Sequence, residues 1–159
     1  DMDSLGAPPG YLVDVMTEDD DTIRDRLGEA GIIVLTDGPD LDEIRSGLLG
    51  AGVEGIQTAF DHGAVVLLEG LSAMVFGSWI VDDSGQLGAG LEWLESALVI
   101  PGLTSLTESV QAQTVLNVQP AALAVGIGVG SALTLGPDGV VETWGQEQVT
   151  IALGSKYGV

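Results

Sequence analysis

Residues 64–74 read Ala-Val-Val-Leu-Leu-Glu-Gly-Leu-Ser-Ala-Met. The short apolar run at their start predicts a strand buried on both faces. Glu69 to Met74 then predicts a tight turn opening a helix that continues through Trp79. A strand that enters a helix through such a turn strains the middle residue and pushes its side chain out above the sheet. Ser72 stands in the middle, which makes it the candidate catalytic nucleophile. Helix capping is the other reading, because serine commonly caps helices. Gly70 suits a turn with no room for neighbouring side chains. Met74 stands where a second glycine is expected.

Working outward, Gly31 to Thr36 is a second apolar run, bounded by Asp37-Gly38-Pro39, and predicts another strand buried on both faces. Before it, Tyr11 to Met16 predicts a short strand after a turn at Pro8-Pro9-Gly10. The acidic run Glu18-Asp19-Asp20-Asp21 precedes Ile23 and Leu27 at helical spacing, so Asp20 or Asp21 is the expected N-cap. A calcium loop is disfavoured because the alternating ligands and distal Glu are missing. Helices are expected around Leu41 to Leu49, Val53 to Phe60 and Leu106 to Leu116. Strands are expected at 97–100, 123–129, 132–135, 140–144 and 149–153, with a Gly-rich loop at 84–90 and a strong turn at Pro137-Asp138-Gly139. Strands alternating with helices imply a parallel sheet. The expected class is therefore α/β: three layers, a mostly parallel sheet with helices on both faces, and a C-terminal antiparallel extension. Residues 1–18 are expected to be irregular and 19–159 to form a single α/β domain.

The 159 residues carry 24 acidic and 4 basic side chains, a net charge of −20, yet 45% are hydrophobic. That balance excludes simple disorder. It argues against nucleic acid and membrane surfaces, which require Lys and Arg. Such acidity suits a halophilic protein that stays in solution in concentrated salt, where self-repulsion is screened. With no cysteine there is no thiolate zinc site and no cysteine nucleophile. No metal ligand set and no cofactor motif is readable. Gly126, Gly128 and Gly130 follow a strand but lead into another strand, so no helix N-terminus is expected to hold a pyrophosphate. The opening Asp1-Met2-Asp3-Ser4 lacks the basic region and apolar run of a secretory leader, and a cytoplasmic location is expected.

Five pieces stand in order along the chain. Ile32 to Thr36 leads into Asp37-Gly38-Pro39-Asp40. Val65 to Leu68 leads into Gly70-Leu71-Ser72-Ala73-Met74. Gly90-Leu91-Glu92-Trp93-Leu94 follows, then Gly126-Ile127-Gly128-Val129-Gly130-Ser131-Ala132-Leu133, then Trp144 to Leu153. The order resembles the serine peptidases that include cyanophycinase and dipeptidase E, which share the class I glutamine amidotransferase-like fold. There the corresponding pieces are a Gly-Gly-x-Gln type turn, Gly-Thr-Ser-Ala-Gly, a Gly-Leu-Gly-Leu-Leu-like segment, Gly-Ile-Asp-Glu-x-Thr-Ala-Leu and a closing Gly-x-Gly-x-Val-Thr strand. The resemblance covers roughly residues 20 to 154. The family's first strand and glycine turn have no counterpart before Asp1, so a full-length member is expected to be longer.

The resemblance implies Ser72 as nucleophile, with an oxyanion site and elbow built from Gly38, Gly70 and Ala73. It also implies a histidine after the strand at 97–100, where Leu103 stands, and an acidic pair where Gly128 and Val129 stand. Leu103 cannot accept a proton, and a serine needs a base within hydrogen-bond reach. The single histidine, His62, precedes the strand that leads to Ser72 and is expected at the opposite end of the sheet. Lys156 is the single lysine. Met74, Leu103, Gly128 and Val129 are therefore degenerate positions. The expectation is a catalytically inactive, cyanophycinase-like protein with a binding or assembly role, a homo-oligomer, with a peptide as candidate ligand. The alternative is an active serine hydrolase cleaving peptide or isopeptide bonds through Ser72 with a rearranged base.

Overall fold

In the computed structural model, Gly6 and residues 10–159 are described. The turn expected at Pro8-Pro9-Gly10 lies largely outside these residues. Tyr11 to Met16 is a loop ending in a turn, not a strand. The Asp14 carboxylate accepts from the Met16 N–H at 2.9 Å, which closes the chain before a strand can extend. Backbone contacts divide the chain into two compact units: residues up to 33 with 47–66, and residues 34–46 with 67–159.

In the first unit, helix α1 (Asp20–Gly28) is capped by Asp19, whose side chain accepts from the Thr22 N–H at 3.0 Å. The cap lies one residue before the expected Asp20 or Asp21, and those two acids instead occupy the first turn, facing the helix dipole. Ile23 and Leu27 bury the inner face of α1 against helix α3 (Ala51–Asp61), which contributes Ile56 and Ala59. Gly55 sets that approach: a Cβ there would lie 2.8 Å from the Leu27 Cβ and 3.2 Å from the Arg24 carbonyl oxygen. Arg24 pairs with Glu54 across the same two helices. Arg26 pairs with Glu18 at 3.2 Å and lies over the Tyr11 ring.

The second unit is built around strand β5 (Ala97–Pro101), which is buried almost throughout. Strand β6 (Leu123–Ile127) pairs parallel to β5, and β9 (Val149–Leu153) pairs antiparallel to β6. Leu98 and Ile100 pack with Val75, Val81, Val115 and Ala124 in the core. Helix α5 (Val110–Val118) starts four residues later than the apolar spacing from Leu106 predicts, because Ser109 caps it. Leu106 is buried ahead of the cap.

Strands β1 (Ile32–Leu35) and β2 (Val65–Leu68) form a two-stranded sheet. Bonds from Val65 N to Gly31 O and from Glu69 N to Leu35 O advance together along both strands, so the pair is parallel. The expected burial on both faces is not found. Ile32, Val34, Val65 and Leu67 alternate outward and are exposed, so only one face of each strand is covered.

The helix expected to run to Trp79 stops early. Helix α4 covers only Leu71–Val75, and strand β3 (Trp79–Val81) pairs antiparallel with β4 (Leu87–Ala89), inside the expected Gly-rich loop. Gly77 ends the helix where the backbone meets β5; a Cβ there would lie 2.7 Å from the Ala97 carbonyl oxygen. Asp82 closes the β3–β4 turn by accepting from Gln86 N at 2.8 Å and Ser84 Oγ at 2.6 Å, and these bonds, Ser84's foremost, hold its carboxyl below the usual aspartate range. Strands β7 (Ser131–Leu135) and β8 (Val141–Gly145) form a hairpin around a 3-10 turn at Pro137–Gly139.

The fold is mixed α/β, as composition and order imply. A single three-layer, mostly parallel sheet is not observed. The described strands fall into four small sheets, three of two strands and one of three. All of the described strands are three to five residues long.

Candidate active site

The turn after β2 and the turn after β1 meet within the second unit. Gly70 is the residue at the strand-to-helix junction. Its φ of 58° and ψ of −132° lie in a region that side-chain-bearing residues rarely adopt. The strain expected at Ser72 is therefore found two residues earlier. The reason is local: β2 ends at Leu68, and helical geometry is already established from Leu71 onward.

Ser72 consequently lies in the first turn of α4. It is 2% exposed, and its Oγ donates to the Thr36 carbonyl at 2.7 Å. The outward presentation expected for it is absent, as is a side-chain capping bond at the start of α4. The serine instead ties α4 to the end of β1. Its hydroxyl proton is committed to a carbonyl, which cannot act as a base.

Two main-chain N–H groups converge beside Gly70. Leu71 N donates to Asp37 Oδ1 at 2.8 Å, and Gly38 N donates to the same oxygen at 3.0 Å. In an acyl-transfer enzyme, the N–H following the strained junction residue and an N–H from a neighbouring strand's turn would receive the developing negative oxygen. Here a carboxylate of the protein itself is held by both. The fit is close: a Cβ built on Gly70 would fall on the Asp37 carboxyl group. Only glycine allows this arrangement, for its φ and for its missing side chain.

Of the expected oxyanion and elbow residues, Gly38 and Gly70 are brought together. Ala73 is not, since its N–H donates to the Gly70 carbonyl at 3.0 Å inside the helical turn. Leu71 and Asp37 are the participants that sequence reasoning missed. The signal was the immediate succession of strand, Glu69 and Gly70, which leaves no room to place the junction at Ser72.

Met74 is buried in the core beneath the turn, and Leu103 packs against the same core. Gly128 is confined: a Cβ there would lie 2.7 Å from Thr104 Cγ2 and 2.8 Å from Gln148 Cβ. Val129 is 82% exposed. His62 caps the C-terminus of α3 in the first unit. Lys156 lies in the turn after β9, where its N–H donates to the Pro120 carbonyl at 2.8 Å. Among the described residues, neither His62 nor Lys156 has a side-chain bond to Ser72.

A cleft of about 240 Å³ opens beside the junction, lined by Pro39, Asp40, Leu71, Met74, Asp82 and Gln111 among others. Among the described residues no cluster of three or more His, Cys, Asp or Glu side chains is disposed to hold a metal ion. No helix among them is long and apolar enough to cross a membrane.

No family model matches the chain, and no curated protein does. Among solved structures, the fold is similar to that of a peptidase from an acI-B1 Actinobacterium, with a TM-score of 0.67 and 18% sequence identity. The match covers 80% of this chain and 55% of that one, so this chain spans little more than half the length of its structural neighbour. A peptidase-like fold is what this likeness carries.

Proposed function

We propose that this chain is a peptidase-like scaffold, of the cyanophycinase and dipeptidase E type, that has no working serine nucleophile and serves in binding or assembly. One observation carries the reading. The strained junction position is Gly70, and the adjoining pair of N–H donors already holds the Asp37 carboxylate. A nucleophile must present its oxygen and have a base in reach. Glycine has no such oxygen, and Ser72, buried and donating to the Thr36 carbonyl, makes no hydrogen bond to a basic side chain or carboxylate among the described residues. A resident carboxylate would also repel the negative charge that hydrolysis develops at those donors. Leu103, Gly128 and Val129, where the resemblance implies a histidine and an acidic pair, are consistent with the same reading.

The test is covalent labelling. The folded protein, in molar salt, is incubated with a fluorophosphonate that reports activated serines and is weighed intact beside Ser72→Ala. No mass gain is expected in either. A stoichiometric adduct that disappears in Ser72→Ala would overturn the proposal and establish the hydrolase alternative.

A further inference from the structure

Every residue of β8 is exposed, although Val141 and Trp144 within it are large and apolar, at 58% and 59% exposure. Nothing in the described chain covers either face of this strand, and its only sheet partner is β7. A two-stranded hairpin with no covering layer is marginal by itself in water.

The backbone shows which edge is open. Gln146 N donates to Gly130 O, and Gly136 N donates to Val140 O. In an antiparallel pair the bonded positions alternate. Residues 140, 142, 144 and 146 therefore direct their N–H and C=O groups at β7, while Val141, Thr143 and Gly145 direct theirs away. This edge carries none of the usual defences against pairing: no proline, no lysine and one charge, Glu142.

Charge identifies the occupant. The chain bears −20, so a second copy meets repulsion over most of its surface. Residues 109–159 carry only Asp138, Glu142, Glu147 and Lys156, a net of −2. Yet of the twenty large apolar side chains exposed among the described residues, eleven lie from Val110 onward. Apolar exposure and low charge thus coincide in the segment that contains the open strand. It is where two identical acidic chains repel each other least.

We propose that two copies of this chain dimerise by pairing their β8 edges antiparallel about a two-fold axis at Thr143. Two registers compete closely. Symmetry about Glu142 would set the two carboxylates directly opposite, which is destabilising. Symmetry about Thr143 overlaps the full strand and sets each Glu142 opposite the second copy's Trp144. Glu142 already accepts from the Trp144 indole N–H within its own strand, at 3.3 Å, so the two side chains are matched partners. The contact is isologous and closes at two subunits. It gives the assembly part of the reading above its surface. A fluorophosphonate adduct would overturn that reading and leave this dimer standing, whereas a monomer would overturn this one alone.

The experiment is sedimentation equilibrium in molar salt, where residual repulsion is screened, on wild type and Thr143→Pro. The Thr143 N–H points away from β7, so proline removes the outward donor and spares the hairpin. A wild-type dimer is expected, with its dissociation constant raised roughly 30-fold in Thr143→Pro for the two symmetric bonds lost. Thr143→Cys supplies a second measurement that does not depend on tolerance of proline, because the chain has no other thiol. Directly opposed α-carbons in a bonded pair lie about 5.5 Å apart, within disulfide reach of about 4.4–6.8 Å. Thr143→Cys is expected to cross-link on mild oxidation, and Val141→Cys, about 14 Å from its symmetry mate, is not. A wild-type monomer at micromolar concentration would refute the proposal. So would a dimer that Thr143→Pro leaves intact and Thr143→Cys fails to cross-link.

Discussion

Replacing Gly70 by alanine tests the junction directly. The new methyl must displace the Asp37 carboxylate, because its Cβ falls on that group. It must also hold a φ of 58° and ψ of −132°. The backbone term costs about 1–3 kcal/mol. Displacing Asp37 forfeits the bonds from Leu71 N and Gly38 N, together about 1–2 kcal/mol for an exposed carboxylate at the low end of the range. Gly70→Ala is therefore expected to lose about 2–5 kcal/mol. Asp37→Ala removes the same two bonds and is expected to lose about 1–2 kcal/mol. In the double variant those bonds can be lost only once, so its destabilisation should fall short of the sum by about 1–2 kcal/mol. The assay is urea unfolding in molar salt followed by tryptophan fluorescence. Trp79, Trp93 and Trp144 all lie in the unit that contains both mutated residues. Additivity of the two single variants would refute the claim that Gly70 is glycine because Asp37 occupies its side-chain space.

Two other expectations follow from packing and from capping. Leu98, a β5 residue with no exposed surface, should cost about 2–5 kcal/mol when truncated to alanine, whereas exposed Val129→Ala should stay within about 0.5 kcal/mol of wild type in the same fluorescence assay. A similar cost at both positions would remove β5 from the centre of the core. The Thr22 N–H and hydroxyl hold the Asp19 carboxyl below its ordinary value of 3.8. A depressed carboxyl stabilises the fold fully above the unfolded value, and that contribution is lost as pH falls through the folded one. Asp19→Ala should therefore unfold more readily than wild type at neutral pH, with the gap in far-ultraviolet dichroism midpoints closing below about pH 3.8. A gap that persists unchanged at low pH would mean that the cap bond does not stabilise α1.

The elements that local chemistry dictates were legible in the chain. β9 runs from Val149 to Leu153 as its apolar, β-branched pattern predicts, and the Pro137-Asp138-Gly139 turn joins β7 to β8. β5 is a buried apolar run with Gly102 behind it, and the structure keeps it at the core. The end of α4 was misplaced where one glycine answers to a distant contact. Gly77 stops α4 because β5 passes 2.7 Å from where its Cβ would be, and nothing between residues 64 and 79 announces β5. β3 and β4 were missed for a different reason: three-residue strands carry too little pattern to outweigh a neighbouring helix signal.

The same division runs through the candidate site. Sequence alone determined that the chain lacks a histidine at the place the resemblance implies, that it is strongly acidic, and that a strand enters a helix near Ser72. Each of these is a property of residue type or of local spacing, which the chain carries unfolded. Only the tertiary structure decided that the strained residue is Gly70, that Ser72 bonds back to Thr36, and that Leu71 and Gly38 share one oxygen of Asp37. Leu71 and Asp37, and Ser72 and Thr36, lie more than thirty positions apart in sequence. No local propensity can encode which of two nearby residues takes the strain; that depends on where the neighbouring strand ends and which side chain it brings to the turn.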